Sequence, residues 1–154
     1  MFKIKIFIVS LVLAFATAAF ANDFTFQVGA GDIGFTPTVQ AQPLLTGEFG
    51  FSVSPSVDLL VGAGATMDTG TVFGGVRAFF PQAEASDAAM FVAARAGVGT
   101  DWGFSDFYWL GTATLGVRGD NGLQFEAGAL FRGDFGFSGV SIVPVASLGY
   151  SIQF

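Results

Sequence analysis

From Asp23 to Phe154 the chain alternates apolar and polar positions with a period of two, the spacing of strands that carry one apolar face. Phe24, Phe26, Val28 and Ala30 interleave with Thr25, Gln27, Gly29 and Gly31. Leu45, Gly47, Phe49, Phe51 and Val53 interleave with Thr46, Glu48, Gly50 and Ser52. Further runs start at Val57, Val72, Met90, Trp109, Leu123 and Val140, which predicts eight strands in all. Between them lie turn residues: Ser54-Pro55-Ser56, Met67 to Gly70, Pro81 to Asp87 and Gly119 to Gly122. Longer connections fall at Asp32 to Gln42, Asp101 to Phe107 and Gly133 to Gly139. No helical pattern intervenes, so neighbouring strands should pair antiparallel as a meander.

The segment before the first strand reads differently. Lys3 and Lys5 form a positive start, Phe7 to Phe15 an apolar core, and Ala19-Phe20-Ala21 a small-x-small cleavage pattern. Residues 1–21 are therefore expected to be a secretory signal peptide, and residues 22–154 the mature barrel. The apolar run is short for a membrane anchor of ~20 residues. Both lysines leave with the signal, so the mature chain keeps only Arg77, Arg95, Arg118 and Arg132 against 12 acids.

Composition narrows the function classes. Hydrophobic residues reach 52% and charged residues only 12%, about half the ~25% of an ordinary soluble domain. That aromatic-rich, charge-poor balance argues against disorder. The net charge of −6 gives a nucleic-acid partner no support. Cysteine and histidine are absent, so disulfides, thiolate nucleophiles, zinc–cysteine sites and histidine-based triads are excluded. No cofactor and no metal site are expected.

Two barrels fit the alternation, and their faces point opposite ways. A soluble barrel turns its apolar face inward and a charged face to water; a membrane barrel inverts this. Here the polar face is made of Gly, Ser, Thr and Gln with few charges, too small and too uncharged for a solvated exterior. It suits the crowded inside of an eight-stranded barrel. Strands of about nine to eleven residues match a tilted membrane span. Aromatics gather toward strand ends: Phe24, Phe51, Phe80, Tyr150 and Phe154 at one side, Trp102, Phe107, Trp109 and Phe131 at the other. Interfacial girdles have that form.

The chain closes on Leu148-Gly149-Tyr150-Ser151-Ile152-Gln153-Phe154, an amphipathic strand with a terminal phenylalanine. This resembles the C-terminal signature of bacterial outer-membrane β-barrels. The resemblance implies that Tyr150, Ile152 and Phe154 are recognised by the barrel-assembly machinery. The mature chain as a whole resembles small OmpX-type and OmpA-barrel-type proteins, with no subfamily identified. An even strand number puts both mature ends in the periplasm. Connections 54–56, 81–87 and 119–122 are then periplasmic, and 32–42, 67–70, 101–107 and 133–139 face outside.

Candidate chemistry is sparse. Glu48, Asp58, Arg77, Arg95, Arg118 and Glu126 fall on inward positions, and charges in a narrow lumen are costly unless paired. An ion-pair network is expected, with Arg95 and Glu126 at similar depth and Arg118 one hairpin from Glu126. It would act as a static plug that fixes register, or as a gate. The outer connections carry Asp32, Asp68, Asp101, Asp106 and Asp134, good turn formers whose spacing matches no calcium loop. Trp102, Phe104, Phe107, Phe135 and Phe137 are outer-loop aromatics, either partner-binding or an extension of the girdle. Some small outer-membrane barrels modify lipids, but such chemistry usually pairs a serine with a histidine base. No enzyme is expected.

The expected fold is thus all-β: an eight-stranded antiparallel up-and-down transmembrane β-barrel after a cleaved signal peptide. The expected role is structural or weakly pore-forming (porin-like), in the outer membrane of a Gram-negative bacterium. Its partners would be outer-membrane lipids and the assembly machinery, and the chain a monomer. Two alternatives stand: a surface adhesion module acting through the outer aromatics, and a soluble periplasmic barrel for an apolar ligand.

Overall fold

The computed structural model describes residues 21–31, 42–82, 87–135 and 139–154. Nearly all of the expected signal peptide lies outside these residues, as do Asp32 and Phe137 of the expected outer connections. The described residues form eight strands: β1 (Asp23–Gly31), β2 (Gln42–Ser54), β3 (Val57–Ala65), β4 (Thr69–Phe79), β5 (Ala88–Asp101), β6 (Phe107–Gly119), β7 (Leu123–Asp134) and β8 (Val140–Gln153). Each pairs antiparallel with the next, and β1 pairs with β8 to close the barrel. The eight runs of alternation are the eight strands.

Closure fixes the stagger. Partners followed from Gln153 run through Asp23, Gly50, Leu60, Gly75, Arg95, Thr112 and Leu130 to Val143. One circuit thus climbs ten residues along β8, from 153 to 143. A stagger of that size tilts the strands by about 40°. It also brings residues from distant strands to one level, which sequence neighbours alone do not reveal.

Turn chemistry does what its residues dictate. Gly122 takes φ 86°, open to glycine at no steric cost. Its N–H donates to the Gly119 carbonyl at 2.9 Å, and the Asn121 carboxamide oxygen accepts from the Leu123 N–H at 3.0 Å. The chain's two described ends meet: Phe154 N–H donates to the Asn22 carbonyl at 3.0 Å. One end of the barrel carries these ends, the connections 55–56 and 120–122 and the approaches to 83–86; we call it the terminal end. Connections 66–68 and 102–106 lie at the far end, with the approaches to 32–41 and 135–139.

Side chains alternate as the period requires. Phe26, Leu115, Phe125 and Leu148 are about half exposed on the outer wall, while Thr25, Glu48, Arg77 and Gln124 are at most 1% exposed within. Phe49, Phe51 and Val61 share the outward register. The inside is less uniformly small and polar than the sequence suggested. Leu60, Phe91 and Ala93 form one buried apolar cluster, and Tyr108, Leu110 and Leu130 a second. Several inward glycines make room for these groups: a Cβ on Gly116 would run into the Phe91 ring. The hydrophobic core of the molecule is therefore inside the barrel, in two clusters separated by charge.

Candidate functional site

The six charged residues expected to line the lumen are all there, and they touch one another in two tiers. In the upper tier Arg95 reaches two carboxylates. Its Nε donates to Glu48 Oε2 at 2.5 Å and its Nη2 to Glu48 Oε1 at 3.2 Å. Its Nη1 and Nη2 donate to Glu126 Oε2 and Oε1, both at 2.9 Å. Glu126 accepts further bonds from Thr114 Oγ1 (2.7 Å), Gln27 Nε2 (2.8 Å) and Gln124 Nε2 (2.7 Å). Ser147 of β8 donates to Gln27 at 3.2 Å.

The lower tier lies toward the terminal end. Arg77 Nη2 donates to Asp23 Oδ2 at 2.6 Å and to Asp58 Oδ2 at 2.8 Å. Arg118 Nη1 donates to the same Asp23 oxygen at 2.9 Å, and its Nε to Gln124 Oε1 at 3.2 Å. Glu48 links the tiers, with Arg77 Nη1 at 3.6 Å from its Oε1. Every strand contributes at least one of these groups. Phe79 lies under both lower guanidinium groups, 5.3 Å from Arg77 and 4.9 Å from Arg118, a cation–π arrangement that strengthens when water is excluded. Arg77 is fully buried and Glu48 and Glu126 are at most 2% exposed, so the core of both tiers lies out of solvent.

Two details depart from the sequence expectation. Arg118 does not pair with Glu126 across its hairpin; its acidic partner is Asp23, brought over from β1 by closure and stagger. Asp23, Gln27, Thr114 and Gln124 also belong to the network, beyond the six charged positions read from the sequence. Asp23 had a usable signal, since it continues the inward alternation of Thr25 and Gln27. The neutral three carried none. Arg132, also inward, places its guanidinium 3.7 Å from the centre of the Tyr108 ring.

At the far end the outer aromatics do different things. Trp102 is half exposed, yet its Nε1 donates to the Thr66 and Met67 carbonyls at 3.3 and 3.0 Å. It ties one connection to the next. Phe104 adopts φ 55° within a tight loop, and Phe135 is exposed. Phe107 is half-buried at the start of β6. Asp101 organises the loop as an acceptor. Ser105 donates to it through Oγ at 2.6 Å and N–H at 2.7 Å, and Asp106 N–H at 3.0 Å. The Ser105 hydroxyl bond first, then the Asp106 amide, holds its carboxyl down at about 2. A depressed carboxyl favours the ordered loop above its ordinary pKa of ~3.9 and loses that contribution as pH falls through the lowered value. In a Trp109→Phe variant, Trp102 fluorescence should therefore change with a midpoint near pH 2; a midpoint near 4 would show that these bonds do not form.

Among the described residues no group of three or more acidic side chains is placed to hold a metal ion. No family model matches the chain, and no curated protein matches its sequence. Solved structures do match in fold. The outer-membrane enzyme PagL superposes with a TM-score of 0.59 at 14% identity, over 86% of this chain and 99% of that one. The N-terminal β-barrel domain of Pseudomonas aeruginosa OprF gives 0.57 at 12% identity, over 86% and 98%. A de novo designed transmembrane β-barrel gives 0.51 at 14% identity, over 86% and 97%. At these identities the likeness is one of architecture, and the chain shares with all three the closed β-barrel fold.

Proposed function

We propose that the mature chain is a small outer-membrane β-barrel of a Gram-negative envelope, with a structural role and a lumen closed by ion pairs. The observation that carries this reading is the inverted distribution of side chains. Large apolar groups such as Phe26, Phe125, Ile142 and Leu148 are about half exposed or more on the wall, while all four arginines after residue 21 lie inside. A soluble barrel would leave that wall in water as one continuous apolar patch, far beyond the few hundred Å² that soluble monomers tolerate. In a bilayer the same wall is the required coat. The terminal end then faces the periplasm, where Tyr150, Ile152 and Phe154 are available to the assembly machinery, and the far end faces outside.

The chain acts as a monomeric wall element held by outer-membrane lipids, without cofactor and without catalysis. The closed lumen favours a plug over a gate. Removing one member of the upper tier leaves the Arg77–Asp23–Asp58–Arg118 cluster across the lumen beneath it. In planar bilayers Glu126→Ala should conduct no more than the parent. A clear rise in single-channel conductance would instead make Glu126 part of a gate. The extraction profile is the companion test: the protein should require detergent and migrate faster on SDS gels before heating than after.

A further inference from the structure

Above the upper tier, toward the far end, the lumen contains a cavity of about 90 Å³ with a mostly apolar surface. Leu44, Phe73, Leu110, Leu130 and Val145 wall it together with Thr46, Thr71 and the stacked Tyr108–Arg132 pair, and the Arg95–Glu126 pair forms its floor. The floor is chemically satisfied. Glu126 accepts from Arg95, Thr114, Gln27 and Gln124, and Arg95 spends its donors on Glu48, Glu126 and Thr114. Arg132 stacks on the Tyr108 ring, and both make further contacts; another wall residue differs. Thr112 lines the cavity, and its buried Oγ1 has no hydrogen-bond partner among the described residues.

Buried hydroxyls nearly always have a partner. A water there would itself need two to four polar neighbours, and apolar cavities that lack them stay dry and accept small hydrocarbons. An occupant that suits both features has a short apolar chain and one hydroxyl. At ~10–15 Å³ of such space for a group the size of a water molecule, the cavity has room for a short chain of several heavy atoms. A charged ligand does not suit it, because the ion would lose its water beside groups that are already paired.

We propose that this cavity binds a small uncharged amphiphile of the short-chain alkanol class. The chain lies against Leu110, Leu130 and Val145, and the hydroxyl exchanges a hydrogen bond with Thr112 Oγ1. The site requires only the closed barrel, so its failure would leave the structural reading intact.

Methyl NMR on the mature chain refolded in micelles tests it, with 1-propanol and propane as probes. The Leu110, Leu130 and Val145 methyls should shift with a saturable, millimolar 1-propanol dependence. The outward Leu115 and Leu148 methyls should drift linearly as alcohol partitions into the micelle. Propane should bind the unaltered protein several-fold more weakly than 1-propanol, and Thr112→Val should remove that difference while Thr112→Ser keeps it. Linear shifts at the lumen methyls, or a resident water at Thr112 that 1-propanol does not displace, would overturn the site. Equal binding of propane and 1-propanol to the unaltered protein would overturn the hydroxyl's part in it, without recourse to any variant.

Discussion

Replacing Arg95 with methionine should lower the unfolding free energy by about 3–5 kcal/mol, the range for breaking a buried ion pair from one side. Arg95 is the cation between Glu48 and Glu126, and its side chain is only 8% exposed. Without it, two buried carboxylates face one another across the upper tier. Arg77 lies 3.6 Å from Glu48 but is already engaged by Asp23 and Asp58, so no spare cation neutralises the pair. The loss should come from stranded charge rather than lost volume. Adding Glu48→Gln and Glu126→Gln to Arg95→Met should therefore restore most of the stability. Urea unfolding from lipid vesicles, followed by tryptophan fluorescence, measures both steps. A loss below about 1 kcal/mol for the single variant, in the range of a surface pair, would mean the tier is hydrated.

Leu115→Arg should destabilise the barrel by about 2–4 kcal/mol in a bilayer, the range measured for a cation at the midplane of a lipid-facing wall. Leu115 lies in the interior of β6 and is half exposed on the outer wall. The size of the effect depends on what surrounds that wall. In water, an exposed leucine exchanged for arginine stays within about 0.5 kcal/mol. The same unfolding assay thus separates a membrane barrel from a soluble one on a single substitution. Val117→Arg, closer to the strand end, should cost less, because the penalty falls toward the interface.

The strand number and the inward register of six charges were legible because a half-apolar strand writes its period directly into the chain. The features that the pattern hides have physical reasons. Phe73, Leu110, Leu130 and Val145 point inward yet are apolar, so a face assigned by the polarity of its neighbours hides them. They form the outer half of the lumen, where the cavity lies. Gln27, Thr114 and Gln124 carry no charge, and nothing in their identity marks them as hydrogen-bond partners of Glu126. Across its hairpin, the inward acid that the pattern offers Arg118 is Glu126. The true partner of Arg118 comes from β1, and only closure with a stagger of ten residues puts Asp23 within 2.9 Å. Local pattern reveals which face a residue occupies; the level at which it meets another strand is a property of the whole barrel.

In the proposed function the apolar wall faces lipid and the ion-paired side faces a closed lumen. The chain contains no cysteine, so spin labels can be introduced one position at a time along β6, from Leu110 to Val117, in the bilayer-reconstituted protein. Labels at Gly111, Ala113, Leu115 and Val117 should be accessible to oxygen and shielded from a water-soluble nickel reagent. Labels at Leu110, Thr112, Thr114 and Gly116 should be shielded from both. Oxygen accessibility alternating with a period of two would establish the face assignment, whereas nickel accessibility at Leu115 or Ala113 would place that wall in water and contradict it.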